Sequence, residues 1–195
     1  GYITSIWYKA PEILLNYQEC TKAVDIWSTG CILAELLGRK PMFEGKDYVD
    51  HLNHILQILG TPPEETLQEI ASQKVYNYIF QFGNIPGRSF ESILTGANPE
   101  ALELLKKMLE FDPKKRIIVE DALEHPYLSM WHDIDEEFSC QKTFRFEFEH
   151  IESMAELGNE VIKEVFDFRK VVRKHPISGD SPSSSLSLED AIPQE

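Results

Sequence analysis

The spacing of apolar residues predicts a chain built mainly from helices. Residues 23–37 are apolar on nearly every side of a helical projection, which is typical of a helix buried on most of its faces. Residues 47–59 repeat apolar positions at helical spacing, and the Gly-Thr-Pro-Pro run at 60–63 ends that helix. No strands alternate convincingly with these helices, so the ordered part is predicted to be all-α.

Further along, the pattern predicts shorter elements separated by breakers. Residues 64–71 form a short predicted helix, and a chain punctuated by glycine and proline follows it. Asn98 can cap a helix that starts at Pro99. The next predicted helix, 119–124, has Ile118 at its cap position, where the missing side-chain hydrogen bond costs about 1 kcal/mol.

The last part of the chain changes character after Trp131. An acidic run is followed by Phe144, Phe146 and Phe148, whose alternation with charged residues predicts an extended segment. Residues 152–170 return to helical periodicity. From 177 onward Ser, Pro, Asp and Glu dominate, and this tail is predicted to be disordered.

Composition and charge narrow the classes of function. With 195 residues, 42% of them hydrophobic, the chain is long enough for a domain with a substantial core. Its formal charge of −14 argues against broad binding to a nucleic-acid backbone and favours basic partners. The sequence has no apolar run of transmembrane length, and we expect no membrane partner. Cys20, Cys31 and Cys140 are widely spaced, which favours neither a disulfide framework nor a zinc site.

Three separated strings then resemble one family in their order and spacing. Trp-Tyr-Lys-Ala-Pro-Glu at 7–12 resembles the end of a protein-kinase activation segment. Asp-Ile-Trp-Ser-Thr-Gly-Cys at 25–31 is similar to the start of the central helix of the kinase large lobe. Phe-Asp-Pro-Lys-Lys-Arg-Ile at 111–117, followed by His-Pro-Tyr-Leu at 125–128, resembles the close of that lobe.

Within the kinases, the chain resembles the MAP kinases, in particular their fungal cell-wall-integrity branch. The likeness lies in Gly-Lys-Asp-Tyr at 45–48, Leu-Asn-His-Ile-Leu at 52–56 and Leu-Gly-Thr-Pro at 59–62. It implies a mainly α fold: the C-terminal (large) lobe of a protein kinase, incomplete, with the MAP-kinase insert and C-terminal extension. The implied domains are the lobe at 1–128, an acidic docking region and extension at 129–173, and the tail at 174–195.

The resemblance implies a serine/threonine kinase that uses ATP and Mg in its full-length parent. The 195 residues contain no His-Arg-Asp, Asp-Phe-Gly or Gly-x-Gly-x-x-Gly string. No catalytic residue, metal ligand or bound cofactor is therefore expected in this chain itself. The alternative is a pseudokinase or scaffold that binds signalling partners with little or no catalysis.

The resemblance also assigns structural roles to three charged residues. Glu12 and Arg116 are expected to form an ion pair that fixes the end of the activation segment. The alternative is that both are solvated surface charges. Asp25 anchors the central helix in the family by accepting hydrogen bonds from the catalytic loop. Without that loop we expect a poorly satisfied carboxylate at a helix start.

The activation segment departs from the family at two positions. Tyr2 matches the tyrosine that MAP kinases phosphorylate, and two arginines in the family string Thr-Arg-Trp-Tyr-Arg bind its phosphate. Here Ser5 keeps the hydroxyl, Ile6 removes one cation, and Lys9 keeps charge without the guanidinium fork. The hypothesis is that phosphorylated Tyr2 is held poorly and that dual-phosphorylation activation is weak or lost.

Two docking surfaces are implied. The acidic cluster consists of Asp133, Asp135, Glu136 and Glu137, and its alternative interpretation is a solvated acidic loop. The hydrophobic docking pocket consists of Leu14, Leu15, Tyr48, Val49, Leu52 and Tyr78, and its alternative is ordinary core. Expected partners are an upstream MAP kinase kinase, protein substrates, and phosphatases or transcription regulators with basic docking motifs. The expected location is cytoplasmic and nuclear.

Overall fold

All regular secondary structure in the part of the chain that the structure describes is helical. In a computed structural model, this part comprises residues 6–15, 21–135, 137 and 147–172, and no strand occurs in it. The α-helices are α1 (Pro11–Leu14), α2 (Ala23–Gly38), α3 (Tyr48–Leu59), α4 (Glu64–Ile70), α5 (Gln73–Phe80), α6 (Phe90–Ile93), α7 (Pro99–Met108), α8 (Val119–Leu123) and α9 (Met154–Val172). Short 3₁₀ turns cover Pro126–Leu128 and Glu147–His150. The prediction of a mainly α fold is confirmed.

The described residues fall into two units, divided between residues 137 and 138. The core of the first unit gathers around α2, whose Trp27 stacks on Phe43 with ring centroids 5.7 Å apart. Helix α7 packs closely on α2 at Gly30, where an added Cβ would lie 3.0 Å from both Met108 Cβ and Leu109 Cδ2. The domain boundaries expected from the sequence stay predictions.

Helix α2 is buried on most of its faces and exposed along one stripe. Trp27, Gly30, Cys31 and Ala34 face the core, whereas Leu36 is 73% exposed. Val24, Ile26, Leu33 and Leu37 are half-buried against the core, and the exposed residues Asp25, Thr29, Ile32 and Leu36 form one stripe. The expectation that α2 is buried on most of its faces therefore agrees with the described residues, apart from this stripe.

The helix ends follow the cap predictions. The Asn98 side chain accepts a hydrogen bond of 2.8 Å from the Glu100 amide, and Pro99 opens α7 as expected. Ile118 precedes α8 and makes no side-chain cap hydrogen bond, which agrees with the predicted loss of a cap.

Helices α5 and α6 lie in a stretch for which the sequence predicted only irregular chain. Neighbours one turn apart support α5: Tyr76 stacks on Phe80, and Gln73 donates to the side chain of Asn77. Its Ile79 is fully buried. A short helix of this kind depends on tertiary packing, which periodicity does not reveal.

In the second unit, α9 agrees with the predicted helix at 152–170, and none of its residues is buried. Phe148 lies in a 3₁₀ turn instead of an extended segment. Phe144, Phe146 and the tail from 177 lie outside the described residues.

Candidate functional site

The first feature of the site is a buried ion pair made by Glu12, the last residue of the Trp-Tyr-Lys-Ala-Pro-Glu motif. Arg116 Nη1 lies 2.7 Å from Glu12 Oε1, and Nη2 lies 2.9 Å from Glu12 Oε2, a bidentate geometry. Glu12 is 1% exposed and Arg116 is 4% exposed. The two residues expected to pair are thus brought together in the core, although 104 positions separate them in sequence. They are not solvated surface charges.

The guanidinium of Arg116 also holds the backbone around it. Nε donates to Glu110 O at 2.9 Å, Nη1 to Ala23 O at 2.7 Å, and Nη2 to Phe111 O at 3.4 Å. Its carbon lies 5.1 Å from the Trp27 ring centroid. All five N–H groups of the guanidinium therefore have acceptors, which offsets the cost of burying its charge.

Ile6, at the start of the described activation segment, belongs to the core. Its side chain is only 6% exposed. Next to it, Trp7 Nε1 donates to Gly45 O at 2.8 Å, which fastens the segment to the loop before α3. Ile6 therefore does more than omit a cation: it occupies a packed position.

Lys9 points to a residue of the predicted docking pocket. Its Nζ donates to Tyr48 Oη at 2.9 Å and lies 5.0 Å from the centroid of the Tyr48 ring. Tyr48 is 51% exposed at the start of α3, where the Asp47 side chain caps the helix. The contact joins Lys9 to one residue of the predicted docking pocket at the surface.

Tyr8 forms hydrogen bonds with α2 that the sequence did not predict. Its hydroxyl donates to Glu35 Oε2 at 2.6 Å, and its carbonyl accepts from the Ser28 hydroxyl at 2.9 Å. The hydrogen bond to Glu35, together with burial, raises the pKa of the Tyr8 phenol above its ordinary value. The only sequence signal was the position of Tyr8 inside the kinase-like string.

The docking-pocket residues divide by depth. Leu15 and Leu52 are buried in the core, Leu14 and Tyr78 are half-buried, and Tyr48 and Val49 are exposed. Tyr78 Oη is bonded to the Asn53 side chain at 3.0 Å, and the exposed Phe82 ring meets the Tyr78 ring edge-on with centroids 5.0 Å apart. Asn53 and Phe82 were not predicted, although Phe82 follows Tyr78 by one helical turn.

The acidic cluster is exposed where it is described. Asp133, Asp135 and Glu137 lie at the surface, and Glu136 lies outside the described residues. The Asp133 side chain accepts from the Asp135 amide at 3.0 Å, while Glu137 Oε1 lies 2.9 Å from His132 Nδ1. The described carboxylates face solvent, where a basic partner can reach them.

Asp25 behaves differently from the expectation of a poorly satisfied carboxylate. It lies in the first turn of α2 and is exposed, so water solvates its carboxylate. Tyr2 and Ser5 lie outside the described residues.

The described residues offer little for a metal or a nucleophile. They contain no group of three His, Cys, Asp or Glu residues placed to hold a metal ion. Burial raises the pKa of the Cys31 thiol to about 12, which keeps it protonated and unreactive. Among these residues no helix has the length and apolar character needed to cross a membrane.

Comparison with known proteins identifies the family to which this chain belongs. The family model described as "Protein kinase domain" matches residues 1–128, and the chain belongs to the protein kinase family. Similar proteins include the serine/threonine-protein kinase KDX1 of Saccharomyces cerevisiae, 99% identical over 195 residues, which are 100% of this chain and 45% of that protein. The mitogen-activated protein kinase SLT2/MPK1 of the same yeast is 57% identical over 173 residues, 89% of this chain and 36% of that protein. The mitogen-activated protein kinase MPS1 of Pyricularia oryzae is 51% identical over 178 residues, 91% of this chain and 43% of that protein.

The chain is thus related to fungal MAP kinases, as its motifs indicated, and the recognition made from the sequence is confirmed. It spans less than half the length of these curated relatives.

Proposed function

We propose that the chain is the C-terminal portion of a MAP-kinase-like serine/threonine kinase that acts in a signalling cascade. The observation that carries the proposal is the buried, bidentate pair of Glu12 and Arg116, which fixes the activation-segment motif on the large lobe. In the parent protein, phosphoryl groups pass from ATP to serine or threonine of protein substrates.

The residues of this chain do not fit ATP or Mg. The sequence contains none of the three strings that hold nucleotide, metal and the attacking hydroxyl in protein kinases. The described residues also hold no metal-ligating cluster. Catalysis and cofactor binding accordingly belong to other parts of the parent protein, and this portion supplies the activation-segment anchor and docking surfaces.

An in vitro phosphorylation assay on the full-length protein tests the proposal. We expect transfer of labelled phosphate to a protein substrate, abolished when alanine replaces the catalytic aspartate of that longer protein. Equal incorporation with and without this aspartate would point to a contaminating kinase and to the second function below.

A second function, a pseudokinase or scaffold, is favoured by the activation segment. Ile6 and Lys9 stand where the family has arginines, so neither offers a guanidinium to phosphorylated Tyr2. Ile6 is packed in the core, and the Lys9 ammonium is bonded to Tyr48. Replacing Lys9 with Arg in the full-length protein should raise activity if weak phosphate binding limits it, with Lys46→Arg as the control. Unchanged activity would count against this explanation.

We further propose that the acidic cluster binds basic docking peptides of activators, substrates, phosphatases or transcription regulators. Its support is the exposure of Asp133, Asp135 and Glu137. The double variant Asp133→Lys/Asp135→Lys should weaken binding of a basic-hydrophobic peptide, whereas Glu65→Lys, an exposed acid on α4, should not. Equal affinity for the peptide in the unsubstituted protein, the double variant and Glu65→Lys would contradict a docking role. A cytoplasmic and nuclear location belongs to the same proposal, and imaging of a tagged full-length protein tests it.

A further inference from the structure

His51 lies where the activation segment, the loop after α2 and helix α3 meet. Its side chain is 0% exposed. Its ring meets the Phe43 ring edge-on, with centroids 6.2 Å apart. The Gly45 backbone is so close that a Cβ added to Gly45 would lie 2.4 Å from His51 Cα. The Lys9 carbonyl faces the ring from the activation segment, so three parts of the chain enclose one histidine.

Neither ring nitrogen of His51 has a hydrogen-bond partner among the described residues. The carbonyls of Lys9 and Phe43 face the ring without reaching hydrogen-bond geometry. Buried nitrogen atoms in folded proteins are nearly always hydrogen-bonded. The enclosed ring therefore lacks hydrogen bonds that water would give it if the segment lifted away.

Burial also holds the ring in its neutral form. It lowers the pKa of the His51 imidazole below its ordinary value of 6.5, because a charged ring would lie away from water. The carbonyls of Lys9 and Phe43 oppose this effect from the segment and from the loop. On α3, the Asp50 carboxylate also opposes it, whereas a charge on His54 adds to it. The enclosed ring thus stays neutral at a pH at which a histidine in water is protonated.

Two side-chain hydrogen bonds fasten the activation segment beside His51. Trp7 Nε1 donates to Gly45 O at 2.8 Å, and Lys9 Nζ donates to Tyr48 Oη at 2.9 Å. Both acceptors belong to the loop and the helix that enclose the ring. Lifting the segment breaks both bonds and brings water to His51, so the seating of the segment and the hydration of the ring are coupled.

We propose that His51 is a pH-sensitive latch for the activation segment. At neutral pH the ring is neutral and enclosed, and residues 6–10 stay seated. On mild acidification, an open state gains population in which the ring reaches water and takes a proton. Because the open state binds this proton and the closed state does not, the closed state is favoured above about pH 6.5 and loses ground as pH falls below it.

NMR of the full chain between about pH 7.5 and about pH 5.5 tests the proposal. The Trp7 indole N–H signal reports whether the segment is seated, and the His51 ring signals report protonation. We expect the ratio of open to closed segment to rise by up to about tenfold, the limit for one proton taken up by a group whose pKa is 6.5. The Trp27 indole signal should stay unchanged, because the core remains folded.

Two variants separate the latch from other effects of acid. His51→Gln has no titrating ring and should abolish the pH response of Trp7, whereas His132→Gln, at a histidine beside Glu137, should retain it. A Trp7 response that persists in His51→Gln would overturn the proposal. So would a Trp7 signal that stays fixed across the pH range, or a parallel change of Trp27, which reflects unfolding of the core. If circular dichroism shows that His51→Gln does not fold, the Trp7, Trp27 and His51 signals of the unsubstituted protein decide.

Discussion

Lys9 and Glu12 belong to the same short string, but the fold holds them in opposite ways. Glu12 is buried against a guanidinium whose every N–H group has an acceptor, whereas Lys9 lies at the surface on one tyrosine. A buried charge that loses its partner is strongly penalised, while a surface charge that loses its partner is simply solvated. The difference indicates that the end of the segment is fixed by the large lobe and that its Lys9 position can change at little cost.

The largest effect is expected from breaking the anchor. Arg116→Met leaves Glu12 buried without a partner and should lower the free energy of unfolding by about 3–5 kcal/mol. Arg116→Lys keeps the charge but loses the fork, so it should retain part of this stability. Urea denaturation followed by tryptophan fluorescence measures both.

The matched control for the anchor is Arg88→Met, since Arg88 is exposed and forms no ion pair with a described residue. It should change stability by no more than about 0.5 kcal/mol. If Arg116→Met proved as mild as this control, the pair would not be the anchor that its geometry indicates.

The next largest effect on the free energy of unfolding is expected at Ile6, where a substitution meant to change activity also changes stability. Ile6→Arg was attractive from the sequence because it restores a family cation, but it places a guanidinium in a packed position. We expect a loss of at least about 2 kcal/mol in unfolding free energy. Ile6→Val, which only shortens the side chain, should cost about 0.5–1.5 kcal/mol. Denaturation curves that place the arginine variant above the valine variant would show that position 6 turns outward.

The contrast between positions 6 and 12 also shows what the sequence could predict. Periodicity predicted α3 because its apolar positions repeat at helical spacing, and Asn98 with Pro99 marked the start of α7. The pairing of Glu12 with Arg116 came from the family likeness, since no local pattern relates residues so far apart. The burial of Ile6 and the helix α5 were missed, because both depend on packing against distant parts of the chain.

A smaller effect on the free energy of unfolding, which also depends on pH, is expected at Tyr8. Tyr8→Phe removes the hydrogen bond to Glu35 and should cost about 1 kcal/mol at neutral pH. Because the pKa of the phenol is raised in the folded state, its contribution is complete below the ordinary value of 10.0 and is lost as pH rises through the folded value. The stability difference between the two proteins should therefore shrink at strongly alkaline pH.

Tyr127→Phe is the control for Tyr8, since no described residue bonds to its hydroxyl. Its unfolding free energy should follow the unsubstituted protein at neutral pH. A difference between unsubstituted protein and Tyr8→Phe that stays constant to the highest pH tested would contradict the role given to the phenol.

The smallest effect on the free energy of unfolding is expected at Lys9, the surface residue of the pair compared above. Lys9→Met should lower the free energy of unfolding by less than about 1 kcal/mol, because exposed cation–π contacts contribute about 0.5–1 kcal/mol. A double-mutant cycle with Tyr48→Leu isolates the contact: the two losses should overlap by about 0.5 kcal/mol instead of adding. Full additivity would mean that Lys9 and Tyr48 do not stabilise each other in solution. A coupling as large as that of Glu12 with Arg116 would remove the distinction between the two ends of the segment, because Lys9 would then be as firmly held as the buried anchor.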